Sequence, residues 1–346
     1  MNIFSFTFEQ LSAELGRRYG KGNFHAAAFM RWFYHHRDLN IADLSEFKSS
    51  PALAAKLENE ICAPAGRVSA QKRSGELTKI LTRLSDGLEI ESVVVPMATH
   101  KTLCVSSQVG CRMGCTFCET GRMGLRRNLS AAEIVAQVYT AKIILGYKIR
   151  NLVFMGMGEP FDNFEAVIQA IKVLSDQRGL DIAKRHITVS TAGRMDGVRR
   201  LAKLNWPRLN LAISLNAPND NIRTRLMPIN RIYSMAAISK TFSAYPLHKK
   251  GLFFIEYVLI KDVNDQHQHA LELAAYLKPL KYRLNVIPYN PAGNKKDLAA
   301  PDQAGLDRFC GWLVDETVFV RKRTTKGSNL SAACGQLSTG NQKSAV

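Results

Sequence analysis

Apolar residues recur every three or four positions through the first sixty residues: Leu11, Leu15 and Tyr19, then Phe24, Ala28, Trp32 and Phe33, then Leu53, Leu57 and Ile61. That period is helical, and it predicts a small helical domain over residues 1–64. His25, His35 and His36, with Arg31 and Arg37, are expected on the wet face of its middle helix. From 65 to 98 the period falls to two. Thr78, Ile80 and Thr82 alternate with Lys79, Leu81 and Arg83, Ser85-Asp86-Gly87 reads as a turn, and Ile90 to Pro96 as the return strand. A β-hairpin connector follows from that pattern. Cys62, at the junction, reads as a small buried residue.

After residue 99 short apolar runs alternate with helical patterns. Strands are expected at Leu103 to Ser107, Asn151 to Met155, His186 to Ser190, Leu209 to Leu215, Phe253 to Ile260 and Arg283 to Pro288; helices at Ala131 to Leu145, Phe164 to Ser175, Met195 to Leu204 and Gln266 to Leu277. Six strand–helix units make an α/β chain with a parallel sheet, and the right-handed crossover curls that sheet towards a partial (β/α)6 barrel over residues 99–337. A late strand, Val318 to Gly327, runs into a basic loop, and residues 338–346 read as a polar, frayed tail.

Chemistry concentrates where these units end. Cys111, Cys115 and Cys118 follow the first barrel strand at spacing C-x3-C-x2-C. Iron–sulfur clusters are held by Cys thiolates, and three without a fourth leave one iron of a 4Fe–4S cube open to a ligand. The competing reading is zinc, which in structural sites wants a closed tetrahedron; His100 is the only local fourth donor. Arg112, Arg122, Arg126 and Arg127 are available to make the loop electropositive. Gly158 and Glu159 follow the second strand, Ser190 and Ser214 sit at the ends of the third and fourth, and Asn290 follows the sixth. In such sheets sites form at the C-terminal ends of the strands. Oxygens at Gly158 and Glu159 can accept from an ammonium, and Ser190, Ser214 and Asn290 offer hydroxyl or amide partners to a carboxylate or ribose.

Composition sharpens the partner class. The formal charge is +18, from 47 Lys and Arg against 29 Asp and Glu, and a polyanion such as nucleic acid is the expected partner. Basic groups at Arg122 to Arg127, Lys184-Arg185, Arg199-Arg200 and Arg321 to Lys326 are candidate phosphate contacts. Seven cysteines are too few for a disulfide scaffold in a chain this long, and four fall between 104 and 118, which points to a reducing, cytoplasmic setting. No stretch approaches eighteen apolar residues, so no membrane span is expected. Glu91 lies in an otherwise apolar strand, either facing water at an edge or serving chemistry. Cys310 reads as a packing residue beside Phe309 and Leu313.

At the three cysteines the sequence resembles the radical-SAM superfamily. Thr102 to Leu129, Met155-Gly156-Met157-Gly158-Glu159-Pro160 and Ser331-Ala332-Ala333-Cys334-Gly335-Gln336-Leu337 together resemble the RlmN/Cfr family of RNA adenine methyltransferases, over nearly the whole chain. The resemblance implies a 4Fe–4S cluster on Cys111, Cys115 and Cys118, and S-adenosylmethionine contacts at Gly158, Glu159, Ser190, Ser214, Leu215, Asn216 and Asn290. It implies that Cys334 first accepts a methyl group from one S-adenosylmethionine. A second is cleaved by one electron to a 5′-deoxyadenosyl radical, which takes hydrogen from the S-methyl group so that the methylene radical adds to adenine. Cys104 then attacks the Cys334 sulfur to release the product as a protein disulfide, with Glu91 or Cys104 taking the ring proton. The implied substrate is an adenosine ring carbon, C2 in preference to C8, in 23S rRNA, with tRNA as a second candidate. The implied partners include an electron donor such as flavodoxin or ferredoxin, and the implied state is a monomer. The N-terminal domain would share in RNA recognition.

This chain departs from the family pattern at Glu119, where a small residue is usual, at Asn216, where His is usual, and at Ser328-Asn329, where an acidic pair is usual. The alternatives are a basic RNA-binding or electron-transfer iron–sulfur protein without methyl transfer, which would not need Cys104 and Cys334, a relative modifying another RNA position, or a radical enzyme acting on protein or small molecules.

Overall fold

The structure is a computed structural model describing residues 1–36, 38–64, 66–291, 297–323 and 330–338; Arg37, Ser328-Asn329, Lys326 and the tail beyond 338 lie outside them. Three helices open the chain, α1 (Phe8–Tyr19), α2 (Asn23–His36) and α3 (Pro51–Glu60). A capping box between Thr7 and Gln10 starts α1, and Gly20 at φ 64 stops it, each satisfying backbone groups the helix ends leave free. On α2 the expected Ala28 and Phe33 are buried and Trp32 packs against the core, while Phe24 gives way to its neighbour. Phe24 is 64% exposed, whereas His25 is buried against the ring of Phe47, four residues before the buried Phe29. His35 and His36 are exposed. Phe4 and Phe33 pack on Tyr139, ring centroids 4.9 and 5.2 Å away, so these helices share their core with the barrel.

The connector is a three-stranded antiparallel meander, β1 (Arg67–Ser74), β2 (Leu77–Arg83) and β3 (Glu89–Pro96). The hairpin read from the sequence is β2–β3. β1 precedes it as an edge strand, mostly exposed and carrying Arg67, Lys72 and Arg73, charges that protect an open edge from pairing. β4 (Lys101–Cys104) pairs antiparallel with β3 on one side. A separate ribbon, β5 (Gln108–Cys111) and β6 (Gly124–Asn128), flanks the short α4 (Glu119–Arg122), and α5 (Ala131–Tyr139) follows, its continuation over Thr140–Ile144 widening to π geometry.

The alternation then runs β7 (Ile149–Phe154), α6 (Phe164–Leu174), β8 (Ile187–Thr191), α7 (Met195–Lys203), β9 (Asn210–Ser214), α8 (Asp220–Leu226), α9 (Met235–Ser243), β10 (Phe253–Leu259), α10 (His267–Leu277), β11 (Tyr282–Pro288), α11 (Gln303–Asp315) and β12 (Val320–Lys322). Among the described residues one ten-stranded sheet forms in the order β1-β2-β3-β4-β7-β8-β9-β10-β11-β12. From β4 to β12 every pairing is parallel, the expected partial (β/α)6 barrel with the meander on its first edge. All six expected barrel strands are present. The first begins and ends early: after Cys104 the chain leaves the sheet because Ser106 turns inward, its Oγ donating to the Glu91 carbonyl at 2.6 Å and its N–H to Gln137 Oε1 at 2.9 Å.

Cys62 is exposed, against expectation: it forms an isolated bridge with Asn2 at the surface. Cys310 is buried on α11. Among the described residues no helix is long and apolar enough to cross a membrane.

Candidate active site

The cysteine loop begins on β5 and closes on α4. Gly110, at φ 76, has no room for a Cβ, which would overlap the Gly124 carbonyl oxygen of the paired strand. Gly158, at φ 102, is equally constrained: a Cβ there would lie 2.6 Å from Gln108 Cβ. Gln108 in turn accepts from Glu159 N–H at 2.8 Å, which ties the loop after β7 to the loop that carries the cysteines. The close approach needs glycine.

Cys111, Cys115 and Cys118 line one cavity with Gly158, Glu159, Ser190, Ser214 and Asn216, gathered from four strand ends. Burial pushes the Cys111 thiol up to about 12 and raises Cys115 and Cys118 as well. Among the described residues no group of three His, Cys, Asp or Glu is spaced to hold a single metal ion. His100, the fourth donor of the zinc reading, does not line the cavity and shares a hydrogen bond of 2.8 Å with Asn151.

The arginines near the loop are mostly spent on carboxylates. Arg112 pairs with Asp162 at 2.6 Å, Arg127 with Asp86 and Glu133 at 2.6 and 2.8 Å, and Arg122 with Glu119. The cation within the core is Arg223, fully buried and held by the carbonyls of Leu215, Ala192 and Ser214 and by Asn230. Burial pushes its guanidinium down to about 10, and its field partly offsets the burial of Cys115.

Two of the expected cofactor contacts do not line the cavity. Leu215 is buried in the core, its N–H on the Glu256 carbonyl and its own carbonyl on Arg223. Asn290 is buried just beyond Tyr289, which does line it. Glu159 lines the cavity, but its oxygens already accept from Phe161 and Ala192 N–H at 3.2 and 2.7 Å. Burial pushes its carboxyl up to about 7 against those bonds.

Cys334 sits on a loop docked directly over the cysteines. Gly335, at φ 82, accepts from Glu119 N–H at 2.7 Å, and Thr120 Oγ1 donates to the Leu337 carbonyl at 2.6 Å. Gln336 Nε2 donates to the Pro291 carbonyl at 2.7 Å. Both ends of the loop are held by one ion pair. Lys79 Nζ donates to the Ser331 carbonyl at 3.0 Å and meets Glu91 Oε1 at 2.7 Å, while Glu91 Oε2 accepts from Ser338 N–H at 3.1 Å. Glu91 is therefore not an edge residue facing water: its side chain is 1% exposed and that of Lys79 5%. Removing one partner of a buried pair strands the other charge, at a cost of about 3–5 kcal/mol. Lys79→Met is expected to lower the urea midpoint markedly, and Lys79→Met/Glu91→Gln to recover most of it; equal midpoints for Lys79→Met and the parent would contradict the pairing.

Cys334, exposed, lines the same cavity as the three loop cysteines. Its thiol is pushed up to about 11 by burial of the sulfur and then by Glu256. Cys104, half-buried at the end of β4, is raised by burial and then by Cys334.

Comparison with known proteins agrees with this arrangement. The profile of the Radical SAM superfamily matches residues 105–274. The chain is 40% identical over 339 residues to the probable dual-specificity RNA methyltransferase RlmN 1 of Protochlamydia amoebophila (strain UWE25), covering 97% of this chain and 94% of that one. It is 41% identical to the dual-specificity RNA methyltransferase RlmN of Syntrophotalea carbinolica (strain DSM 2380 / NBRC 103641 / GraBd1), with 97% and 89% covered. The chain belongs to the RlmN family of radical-SAM RNA methyltransferases. A crystal structure of a radical SAM methyltransferase from Sphaerobacter thermophilus, 35% identical, superposes with a TM-score of 0.88 over 97% of this chain and 98% of that one.

Two of the departures from the RlmN pattern have structural accounts. Glu119 does not leave a free charge beside the cysteines, since Arg122 neutralises it. Asn216 adopts φ 59, which Asn tolerates better than most residues, and its Oδ1 accepts from Val258 N–H at 2.9 Å while its Nδ2 reaches Met227 Sδ. It fastens β9 to β10 from the cavity wall. Glu256 and Arg223 were not singled out from the sequence. Glu256 is a carboxylate within the apolar run Phe253–Leu259 of β10, the same signal that marked Glu91; it lines the cavity beside Cys334 and accepts from Asn285 Nδ2 at 2.7 Å. Burial pushes its carboxyl up. Arg223 carries no such signal, being one of two arginines on a short helix.

Proposed function

We propose that this enzyme methylates a ring carbon of an adenosine in structured RNA, C2 in preference to C8, in 23S rRNA with tRNA as a second substrate. The methyl carbon passes through Cys334. The observation that carries the reading is the docking of the Cys334 loop onto the cysteine loop, which gathers Cys334, Cys111, Cys115 and Cys118 around one cavity. A cluster that only relayed electrons would not need a reactive thiol in the same space.

Cys111, Cys115 and Cys118, gathered on one cavity, would hold a 4Fe–4S cluster, and Gly158, Glu159, Ser190, Ser214 and Asn216 on the same cavity would contact S-adenosylmethionine. Bound together, these groups supply one-electron cleavage of a sulfonium carbon–sulfur bond, and S-adenosylmethionine also supplies the transferable methyl group. The chain does the rest. Cys334 must lose its proton to accept a methyl group, and Glu256 is the carboxylate in the cavity that acts on it. We assign to Cys104 the attack on the Cys334 sulfur, a reading supported by the field of Cys334 at the Cys104 thiol. Both Glu91 oxygens are engaged by Lys79 and Ser338, which favours Cys104 for the ring proton. A one-electron donor of the flavodoxin or ferredoxin class serves a monomeric enzyme.

The direct test is anaerobic reconstitution with rRNA and tRNA, followed by nuclease digestion and mass spectrometry for C-methylated adenosine. Protein that holds iron and cleaves S-adenosylmethionine, yet yields no methylated adenosine in either RNA, would sink the proposal. A second test reads the thiol itself. With the Cys334 thiol at about 11, its alkylation by iodoacetamide, followed on the Cys334 peptide, is expected to rise about tenfold per pH unit from pH 7 to 10, since the thiolate is the nucleophile. Glu256→Gln should shift that profile to lower pH; a plateau already reached by pH 9 in the parent would contradict it.

A further inference from the structure

The parallel strands have a second end. Opposite the cysteine cavity, where β4, β7 and β8 begin, a hollow of about 990 Å³ is lined by Lys101, the first residue of β4, by Lys148 and Arg150 around the start of β7, and by Arg185 and His186 before β8. That volume lies at the upper end of the range for ligand pockets, about 300–1,000 Å³. Among the described residues none of Lys101, Lys148, Arg150 and Arg185 enters an ion pair, in contrast to the paired arginines at the cysteine loop. Among the described residues the acids in the lining are Glu76 and Asp181. His186 records the surplus: after burial, Arg185, Arg150 and His100 hold its proton affinity below the ordinary value.

The hollow offers charge without a stacking platform. Among the described residues no Phe, Tyr or Trp lines it, and the neighbouring Tyr147 ring carries the Lys101 ammonium 5.4 Å from its centroid, so stacking of an unpaired base is not what the hollow offers. Lys148, Arg150 and Arg185 are exposed, and phosphates are what unpaired surface cations hold without reading sequence. Asn151 links the two imidazoles, sharing hydrogen bonds of 2.8 Å with His100 Nε2 and 3.0 Å with His186 Nδ1, which fixes both rings. We propose that this hollow binds the phosphodiester backbone of a paired stem of the RNA whose adenosine enters the cavity at the other end of the strands. It rests on the RNA methyltransferase reading and adds a second anchor remote from the reacting base. A strand of six residues such as β7 spans about 20 Å, so a substrate cut down to its reacting loop would not reach it.

The test compares Lys148→Ala/Arg150→Ala/Arg185→Ala with a control of equal charge loss, Lys240→Ala/Lys249→Ala/Lys250→Ala, whose residues are also exposed. Binding of a blunt RNA duplex without unpaired adenosines is followed by fluorescence anisotropy over a salt series. The hollow variant is expected to lose at least tenfold in affinity and to flatten the log–log salt slope by about 2, since each lost phosphate contact removes about 0.7–0.9; the control should stay within twofold of the parent. On folded RNA its KM for methylation should rise with kcat unchanged, and on a short loop substrate neither should move. Parent-like duplex binding by the hollow variant overturns the proposal. So does loss of inorganic polyphosphate binding with duplex binding retained, which would mark a small-anion site. A parent that binds duplex through these residues but methylates no RNA would defeat the activity assignment and leave this site standing.

Discussion

Cys334→Ala is expected to abolish both protein methylation and RNA product, whereas Cys104→Ala should still form the carbon bond to RNA and then fail to release it. The split follows from the order in which the two sulfurs act. Cys334 must carry the methyl group before RNA is touched; Cys104 is called on only after the carrier carbon has joined the adenine. Both losses should exceed a thousandfold in turnover, the scale on which removal of a reacting group, not a positioning one, is felt. They differ in what accumulates. Under turnover conditions the Cys104→Ala protein should carry a mass shift that nuclease shortens, mapping to the Cys334 peptide. The Cys104 thiol lies within the field of Cys334, and that proximity supports release through a Cys104–Cys334 disulfide. A fully active Cys104→Ala enzyme, or one never found attached to RNA, would count against this relay.

The second large effect concerns iron. Cys111→Ala, Cys115→Ala or Cys118→Ala should each lose the brown absorbance and nearly all iron after anaerobic reconstitution, because the cube would be left with two loop thiolates, and Cys334, the other thiol in the cavity, sits on a separate loop fixed by its own hydrogen bonds. Cys62, exposed on the surface, and Cys310, buried on α11, lie away from the cavity, and Cys62→Ala and Cys310→Ala should keep the parent's iron content. Full iron in Cys115→Ala would overturn the ligand assignment. Because the Cys334 loop hydrogen-bonds to Glu119 and Thr120 immediately after the third cysteine, Cys118→Ala should in addition loosen that loop and speed proteolysis between 331 and 338.

The order of elements was legible in the sequence because parallel strands are buried on both faces and so read as short apolar runs, each closed by the glycines and polar residues of the following turn. The cysteine trio was legible because its spacing is local, and so was the sheet end on which the site forms, since parallel connectivity sends every strand terminus to one mouth. Tertiary structure decided what depends on distance through space. One helical step, too small for the apolar spacing to fix, put His25 inside and Phe24 outside. The edge strand β1 has too few apolar residues to announce itself and exists because β2 offers it backbone partners. Lys79 reads as one more solvent-facing lysine until the tail crosses beneath it, bringing Ser331 and Ser338 from some 250 positions away to a buried ion pair. Leu215 and Asn290 stand at strand ends yet miss the cavity, because alternate residues along a strand point to opposite faces. Local propensity and period are written residue by residue in the chain; the pairing of charges and the lining of a cavity arise only when distant segments pack, and their energies depend on separations that no single stretch contains.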